Sequence, residues 1–299
     1  MRRSQALLDS VLRSRRMRRA AVSAPAVREL AGHYFAGTEA ADAARVAARL
    51  RRQGLDVGFA YLTDPRFSEI THEVALTQVI ARLGPAAAGS EVSLRPSRLG
   101  IAEDPAAARR AVAELGASLH GLGVRVMLES EHPELLPATL DMFVALRPHL
   151  DGLGITIPVN LGGAELYCQD LCHTGARVRL CVGAYPGDHD TSSQQERALS
   201  FVRCLKIVMA GSGPVVVATH DPRLVAIAQE LASRHGHRDY EFQMFYGVRP
   251  LEQRRLVDIG LRCRTYVPFG PGWYDHLAER VAARPRTLGR YLQALLDKR

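Results

Sequence analysis

The chain has 299 residues, of which 47% are hydrophobic and 23% charged, and its formal net charge is +8. No stretch approaches the ~20 apolar residues that a membrane-spanning helix needs, so no transmembrane segment is predicted. The five cysteines have no paired spacing, which argues against a disulfide-rich secreted domain and favours a reducing, cytoplasmic compartment.

The first predicted element is a helical segment over residues 1–37, which carries the densest charge run of the chain. The run consists of Arg13, Arg15, Arg16, Arg18 and Arg19. Such a run is usually a solvated helix face, and peripheral contact with an acidic membrane surface is the alternative. No aromatic residues interleave with the arginines and no nucleic-acid motif accompanies them, so no nucleic-acid partner is predicted.

Residues 38–299 are predicted to form a single domain in which short β-rich runs alternate with longer amphipathic segments. Each β-rich run has the apolar character of a buried parallel strand. The eight runs are 55–62, 91–95, 124–129, 154–159, 178–184, 214–220, 240–246 and 262–269. Helical patterns such as 104–122 and 193–209 lie between them, and the expected N-cap residues include Asp104, Asp190 and Asp221.

Two further helices are predicted after the eighth run, at 273–283 and 287–297. Eight β/α alternations fit an α/β fold of the (β/α)8 TIM-type barrel, with extra N-terminal and C-terminal helices, better than a doubly wound sheet. No GxGxxG motif follows any of the runs, which argues against a dinucleotide-binding fold.

Polar or aromatic residues stand at the C-terminal end of most predicted strands. They are Tyr61, Asp64, Arg95, Glu129, Tyr185, His220, Tyr246 and Tyr266. Because the active site of a (β/α)8 barrel is built at that end, their placement makes them candidates for a functional site.

A cluster of potential metal ligands, Cys168, Cys172 and His173, lies on the helix predicted after the fourth strand. A zinc site needs four ligands at suitable spacing, and no fourth ligand is evident. The sequence therefore predicts no metal site, and buried cysteines are the expected role of the two thiols.

Five motifs occur in the order of the predicted strands. They are Arg179-Leu180-Cys181-Val182-Gly183-Ala184-Tyr185, Ala218-Thr219-His220, Phe242-Gln243-Met244, Tyr246-Gly247-Val248-Arg249 and Tyr266-Val267-Pro268-Phe269-Gly270. Together with Tyr34-Phe35-Ala36-Gly37 near the start, this order resembles the proline dehydrogenase family over nearly the whole chain.

The resemblance implies a barrel that binds FAD non-covalently and oxidises L-proline to a pyrroline by hydride transfer to the flavin. The electrons would then pass to a quinone or another acceptor. By the same resemblance, the catalytic residues are Arg179 and Tyr266. The substrate-binding residues are Arg95, Tyr185, Phe245, Tyr266, Glu279 and Arg280, and the cofactor-binding residues are Glu129, Arg179, Gly183, Ala184, His220 and Gln243.

The chain departs from the family pattern at several functional positions. The substituted positions are Arg95, Met127, Pro158, Val182, Asp221, Glu279, Ala283 and Thr287, and the glutamine replaced by Pro158 is alternatively displaced to Asn160. The most consequential is Glu279, because the family carries two adjacent arginines there to bind the substrate carboxylate. A glutamate at that position repels a carboxylate, and Arg280 can pair with it.

These departures predict a substrate that is proline-like but altered, such as an amide, a carrier-bound thioester or a molecule with a cationic group. They also leave open two other interpretations. In the first, the losses at Met127, Pro158 and Val182 have removed the flavin, and the barrel binds another ligand or performs non-redox chemistry. In the second, the protein is regulatory and acts through its basic N-terminal helix.

Overall fold

The fold is a closed barrel of eight parallel strands that follow one another in chain order, each pairing with the next and β8 pairing with β1. The computed structural model describes residues 14–64, 71–129, 132–183 and 193–283. The strands are β1 (Asp56–Tyr61), β2 (Glu91–Leu94), β3 (Arg125–Leu128), β4 (Gly154–Pro158), β5 (Arg177–Cys181), β6 (Val215–Ala218), β7 (Tyr240–Phe245) and β8 (Cys263–Phe269). The predicted (β/α)8 barrel and its eight strands are confirmed.

The described helices precede the barrel, connect its strands and follow the last one. They are α1 (Arg15–Ser23), α2 (Pro25–Ala31), α3 (Ala40–Arg51), α4 (His72–Leu83), α5 (Pro105–His120), α6 (Leu136–Leu146), α7 (Ala164–Cys172), α8 (Gln194–Met209), α9 (Pro222–His235), α10 (Pro250–Asp258) and α11 (Trp273–Ala283). None of them has both the length and the apolar character needed to cross a membrane. The helix predicted at 287–297 lies outside the described residues, as does Arg13.

Side-chain caps begin four of the described connecting helices, and at α4 the cap is Thr71, which accepts a hydrogen bond from the backbone of Val74. Asp104 accepts a hydrogen bond from the backbone of Ala107, and Asp221 accepts one from Arg223, as the sequence predicts. The cap of α8 is Ser193, in a capping box with Glu196, so the prediction of Asp190 as its cap is wrong. Ser193 takes the role because it directly precedes the first helical residue and has a glutamate three positions later.

The main hydrophobic core lies between the barrel and its helices. Outward-facing strand residues such as Val57, Phe59 and Ile155 pack there with buried helix residues such as Leu76 and Phe143. The inward-facing positions alternate with them and include the buried charged residues Glu91, Arg177, Arg179, Glu241 and Arg264. The barrel therefore has an apolar outer layer and a polar interior, and the polar interior forms the site described below.

A second, smaller apolar cluster joins the N-terminal helices to α11. Phe35 stacks on Trp273 with ring centroids 5.2 Å apart, and Ala31 packs in the same cluster. Arg18 on α1 is buried and forms ion pairs with Asp64, just after β1, and with Asp275 on α11. The start of the described chain thus fixes the position of the helix that follows the barrel.

Candidate active site

Arg179 is the centre of a polar cluster in the part of the barrel that is nearer to the C-terminal ends of the strands. It points inward from β5 and is almost fully buried. Its Nε donates to Oγ1 of Thr156 at 2.9 Å, its Nη1 donates to Oε1 of Gln243 at 3.0 Å and to Oγ of Ser93 at 3.4 Å, and its Nη2 donates to Glu129. These contacts come from four other strands or strand ends, so the guanidinium is held in one orientation.

Glu129 follows β3 and connects Arg179 to two further candidate residues. Its Oε2 accepts a hydrogen bond from the hydroxyl of Tyr266 at 3.1 Å and lies 3.5 Å from Nε of Arg95. Burial acts to raise the pKa of Glu129, but the charges of Arg179 and Arg95 and a hydrogen bond from Ser93 outweigh it and lower the pKa to about 2. Glu129 is therefore ionised at neutral pH.

An aromatic row borders this cluster. Phe245 packs edge-on against Tyr266 at 5.0 Å and stacks with His220 at 5.3 Å between ring centroids. The backbone N–H of Phe245 donates to Nε2 of His220 at 2.9 Å, so this nitrogen is an acceptor and the ring is neutral with its hydrogen on Nδ1. The guanidinium carbon of Arg179 lies 5.7 Å from the centroid of the Tyr266 ring.

Gly183 lies just beyond β5 and is held by a pair of hydrogen bonds to Asn160. Its N–H donates to Oδ1 of Asn160 at 2.7 Å, and Nδ2 of Asn160 donates back to the carbonyl of Gly183 at 3.2 Å. Asn160 thus fixes the backbone at the end of β5, which is the region expected to approach a cofactor.

The side chains of four predicted site residues are not among those that the structure describes. Ala184 and Tyr185 lie outside the described residues. Glu279 and Arg280 lie on α11, but their side chains are not among those described. The structure therefore brings together Arg95, Glu129, Arg179, Gln243, Phe245 and Tyr266, with His220 beside Phe245.

Beneath Arg179, toward the N-terminal end of the barrel, lies a network of buried charges that the sequence analysis missed. Arg264 donates to both carboxylate oxygens of Glu241, at 2.7 and 3.1 Å. Arg177 donates to Glu241 at 2.7 Å and to Glu91 at 2.9 Å. Glu91 in turn accepts a hydrogen bond from Nε2 of Gln243 at 3.0 Å, which links this network to Arg179.

Ser93 and Thr156 were also missed as partners of Arg179. The available signal was the alternation along β2 of Glu91, Ser93 and Arg95, which places all three on one face of a strand. Only the closed barrel shows that this face points toward Arg179.

The substitution at Met127 has a packing explanation. Met127 lies beside Gly154 on the neighbouring strand, and a Cβ atom at Gly154 would come within 2.6 Å of the Met127 Cε. The thioether therefore occupies the space that the glycine leaves. An apolar side chain fills part of the barrel interior at this position, while Glu129, two residues later, keeps its polar contacts.

A family model described as proline dehydrogenase matches residues 43–273. Proline dehydrogenase 1 of Bacillus subtilis strain 168 is 27% identical over 275 residues, which cover 90% of this chain and 91% of that protein. The proline dehydrogenase of Deinococcus radiodurans is 34% identical over 124 residues, which cover 41% of this chain and 38% of that protein.

Among solved structures, proline utilization A (PutA) from Bdellovibrio bacteriovorus, inactivated by N-propargylglycine, superposes with a TM-score of 0.76 at 19% identity. The match covers 85% of this chain but only 32% of the PutA chain, so this likeness shows the barrel fold. The family resemblance predicted from the sequence motifs is confirmed by the family model and the curated relatives.

Proposed function

Because the chain belongs to the proline dehydrogenase family, we propose that it binds FAD and oxidises a proline-like imino acid, free or modified at its carboxyl group, to a pyrroline. The class of enzyme, a proline dehydrogenase-like oxidoreductase acting on CH–NH donors, follows from the family. The cofactor, the exact substrate and the roles of single residues are the proposal. The observation that carries it is the buried cation Arg179, which is held by Glu129 just beyond the C-terminal end of β3, the end at which active sites of such barrels are built.

The donor set of Arg179 fits a flavin. Four of its five N–H groups are used by Thr156, Gln243, Ser93 and Glu129, and the second N–H of Nη2 has no partner among the described residues. One oriented donor on a fixed cation suits the electron-rich edge of a ring that gains negative charge. The internal contacts hold this group in place before any ligand arrives.

The net charge of the groups around Arg179 supports the same assignment. Glu91 also lies 3.8 Å from Nη1 of Arg179, so the charges are counted together with the network beneath: four described arginines (Arg95, Arg177, Arg179 and Arg264) and three glutamates (Glu91, Glu129 and Glu241) leave one net positive charge. An excess cation in a buried site favours a bound anion, either a reduced flavin ring or an acidic group of a substrate.

FAD, when bound, supplies the acceptor for the hydride that leaves the carbon next to the ring nitrogen of the substrate. The protein's residues would position and shield the reacting groups. Phe245 and Tyr266 would form an apolar wall for the substrate ring. Gly183, Ala184, His220 and Gln243 would contact the cofactor, with Gly183 allowing close approach to the backbone. Tyr185 would complete the substrate pocket, and Glu129 would keep Tyr266 and Arg179 oriented.

The substrate assignment depends on α11. Arg95 supplies one cation for an acidic group, whereas Glu279 adds a negative charge where the family has an arginine. A carboxylate near Glu279 is disfavoured, while a neutral amide or thioester carbonyl is tolerated. Arg280 would then bind the carbonyl oxygen or pair with Glu279. We therefore propose a substrate whose carboxyl group is blocked, as in an amide or a carrier-bound thioester.

The test starts with the purified protein. We expect a visible flavin spectrum, release of FAD on denaturation, and flavin bleaching under anaerobic conditions on addition of prolinamide, with weaker bleaching by proline. A colourless preparation that takes up no added FAD would refute the cofactor assignment. Equal or faster bleaching by proline would refute the substrate assignment and leave the cofactor assignment intact.

The alternative is a barrel that no longer binds flavin and performs non-redox chemistry or ligand binding. Met127 favours it, because an apolar group fills the barrel interior where the family has an aspartate. The flavin-release experiment separates the two functions directly.

For the electron acceptor we propose a quinone or another small oxidant. Helix α1 exposes Arg16, Arg19 and Met17 to solvent, a combination that fits peripheral contact of a cytoplasmic protein with an anionic membrane. Cosedimentation with anionic vesicles that is lost at high salt would support this contact. Equal cosedimentation with neutral vesicles would count against it.

A further inference from the structure

A cavity of about 340 Å³ opens at the N-terminal end of the barrel, opposite the candidate active site. Arg125 and Arg177, the first residues of β3 and β5, line it together with Arg147 and Asp151 from the segment before β4. Its size is at the lower end of the range for small-molecule pockets. Three arginines and one aspartate line the cavity, so the formal charges of the lining residues sum to +2.

Arg125 is the least compensated of these cations. It is partly buried, and among the described residues it has neither a hydrogen-bond acceptor nor a carboxylate within 4.0 Å. Burial, followed by repulsion from Arg177 and Arg264, lowers the pKa of Arg125, although Glu241 and Glu91 act in the opposite direction. A partly buried charge without a partner is costly, so a mobile anion would stabilise it.

The other two arginines also have donors left over. Arg177 pairs with Glu91 and Glu241 through Nη2, but its buried Nε has no hydrogen-bond partner. Arg147 donates through Nη1 to the carbonyl of Thr174 at 2.5 Å, and it makes no ion pair within the described part of the chain. Asp151 lines the cavity but forms no ion pair with any of these arginines.

The position of Arg125 is set by the backbone beside it. Gly152 has a φ of +75°, and a Cβ atom there would lie 3.0 Å from Cγ of Arg125. The glycine therefore permits both the turn before β4 and the close approach of the arginine stem. The stem is therefore packed in place, and Arg125 is one of the residues that line the cavity.

We propose that this cavity binds a phosphate dianion, either free or as the terminal group of a small metabolite. The planar guanidinium of arginine matches the oxygens of a phosphate through paired hydrogen bonds, and three such side chains line this cavity. A bound dianion would supply the negative charge that Arg125 lacks. The site is separate from the candidate active site, so the proposal holds whether or not the proposed function does.

The test measures binding of inorganic phosphate to the full-length protein by calorimetry and by thermal unfolding. We expect saturable binding and a rise in Tm that potassium chloride at matched ionic strength does not reproduce. Ribose 5-phosphate is a second probe, and tighter binding of this ester would identify a metabolite as the better ligand. Absence of saturable binding by both probes would overturn the proposal.

Variants locate the site. Arg125→Gln and Arg147→Gln are expected to weaken phosphate binding about tenfold or more each, because each removes charge-assisted hydrogen bonds. Arg110→Gln is the matched control, since it removes the same charge from an exposed position on α5 away from the cavity. Equal weakening by all three variants would indicate nonspecific attraction and contradict the site.

The unliganded stability of Arg125→Gln is a further check. Removing a repelled cation should leave the Tm in phosphate-free buffer unchanged or raise it. If Arg125 instead has a structural role, the Tm of this variant falls in that buffer. Arg147→Gln still tests the site if Arg125→Gln fails to fold.

Discussion

Tyr266 on β8 donates its hydroxyl hydrogen across the barrel to Oε2 of Glu129, at a distance of 3.1 Å. The other oxygen of Glu129 accepts from Arg179. One carboxylate thus fixes Arg179 and Tyr266, the two residues that the family resemblance implies are catalytic. Loss of either contact should be measurable both in stability and in activity.

Replacing Tyr266 by phenylalanine removes this hydrogen bond and keeps the ring that packs on Phe245. We expect the free energy of unfolding to fall by about 1.5–3 kcal/mol, because the acceptor is charged. Urea denaturation measures the change. Tyr240→Phe is the control, since Tyr240 lies at the other end of β7 and its hydroxyl makes no hydrogen bond among the described residues. An equal loss in both variants would contradict the assigned contact.

The lowered pKa of Glu129 predicts a pH dependence of stability. Because its folded-state pKa of about 2 lies below the ordinary 4.5, its contribution is present above pH ~4.5 and is lost as the pH falls toward 2. Glu129→Gln should therefore be less stable than the natural protein by ~3 kcal/mol at neutral pH, and this difference should shrink below pH ~4.5. Urea denaturation from pH 7 to pH 3 measures it.

Glu91 and Glu241 also have lowered pKa values, against the effect of burial and because of neighbouring arginines, so the protein loses stability in acid for several reasons. The difference in the free energy of unfolding between the natural protein and Glu129→Gln isolates the contribution of the Glu129 carboxylate. The exposed Glu114 serves as the control position, and Glu114→Gln should show no such pH-dependent difference.

Because Arg264 belongs to the buried network, we expect even its replacement by lysine to lower the stability of the protein. Arg264 is fully buried. It donates two hydrogen bonds to the carboxylate of Glu241, and its Nη1 donates to the carbonyls of Val57 and Gly89, both at 2.9 Å. A lysine cannot make these contacts together, so Arg264→Lys should cost about 2–4 kcal/mol. Arg262→Lys, in an exposed pair with Asp239, should change stability by less than about 0.5 kcal/mol. Similar losses in both variants would show that burial does not strengthen the network.

If flavin is bound as proposed, Arg179 should raise the reduction potential of the flavin. Arg179→Gln removes the cation that favours the reduced, anionic ring, so we expect the two-electron potential to fall by about 30–60 mV. Arg179→Lys keeps the charge and should show a smaller shift. Anaerobic titration with a reference dye measures both, and an unchanged potential in Arg179→Gln would place Arg179 away from the ring.

Glu279→Arg tests the proposed substrate preference. The variant removes the repulsion between Glu279 and a substrate carboxylate and adds a guanidinium that can bind that carboxylate. We therefore expect kcat/KM for proline to rise about 30-fold or more relative to that for prolinamide. Glu279→Gln removes only the repulsion and should give a smaller gain. If Glu279→Arg gains no proline turnover, Glu279 does not determine the preference.

The sequence predicted the barrel well because each strand is a short apolar run that packs against helices on its outer side. It also selected Arg179, Gln243 and Tyr266 through their motifs. It did not reveal the network of Glu91, Arg177, Glu241 and Arg264. Those residues come from four strands, and only the register of a closed barrel shows which of them meet.

The same limit applies to the capping of α8 and to the packing of Met127 against Gly154. Ser193 and Asp190 are both good capping residues, and the choice depends on where the helix begins. The sequence predicts the loss of a polar group at Met127, whereas the contact of Met127 with a glycine on the next strand is visible only in three dimensions.

The pairing of Phe35 with Trp273 and of Arg18 with Asp275 has a consequence for synthesis on the ribosome. The N-terminal helices emerge first, but their partners on α11 are translated only after all eight strands. Until then the apolar face around Phe35 lacks the partners on α11 that cover it in the folded protein, so we expect a nascent chain to depend on chaperones until this helix has left the exit tunnel.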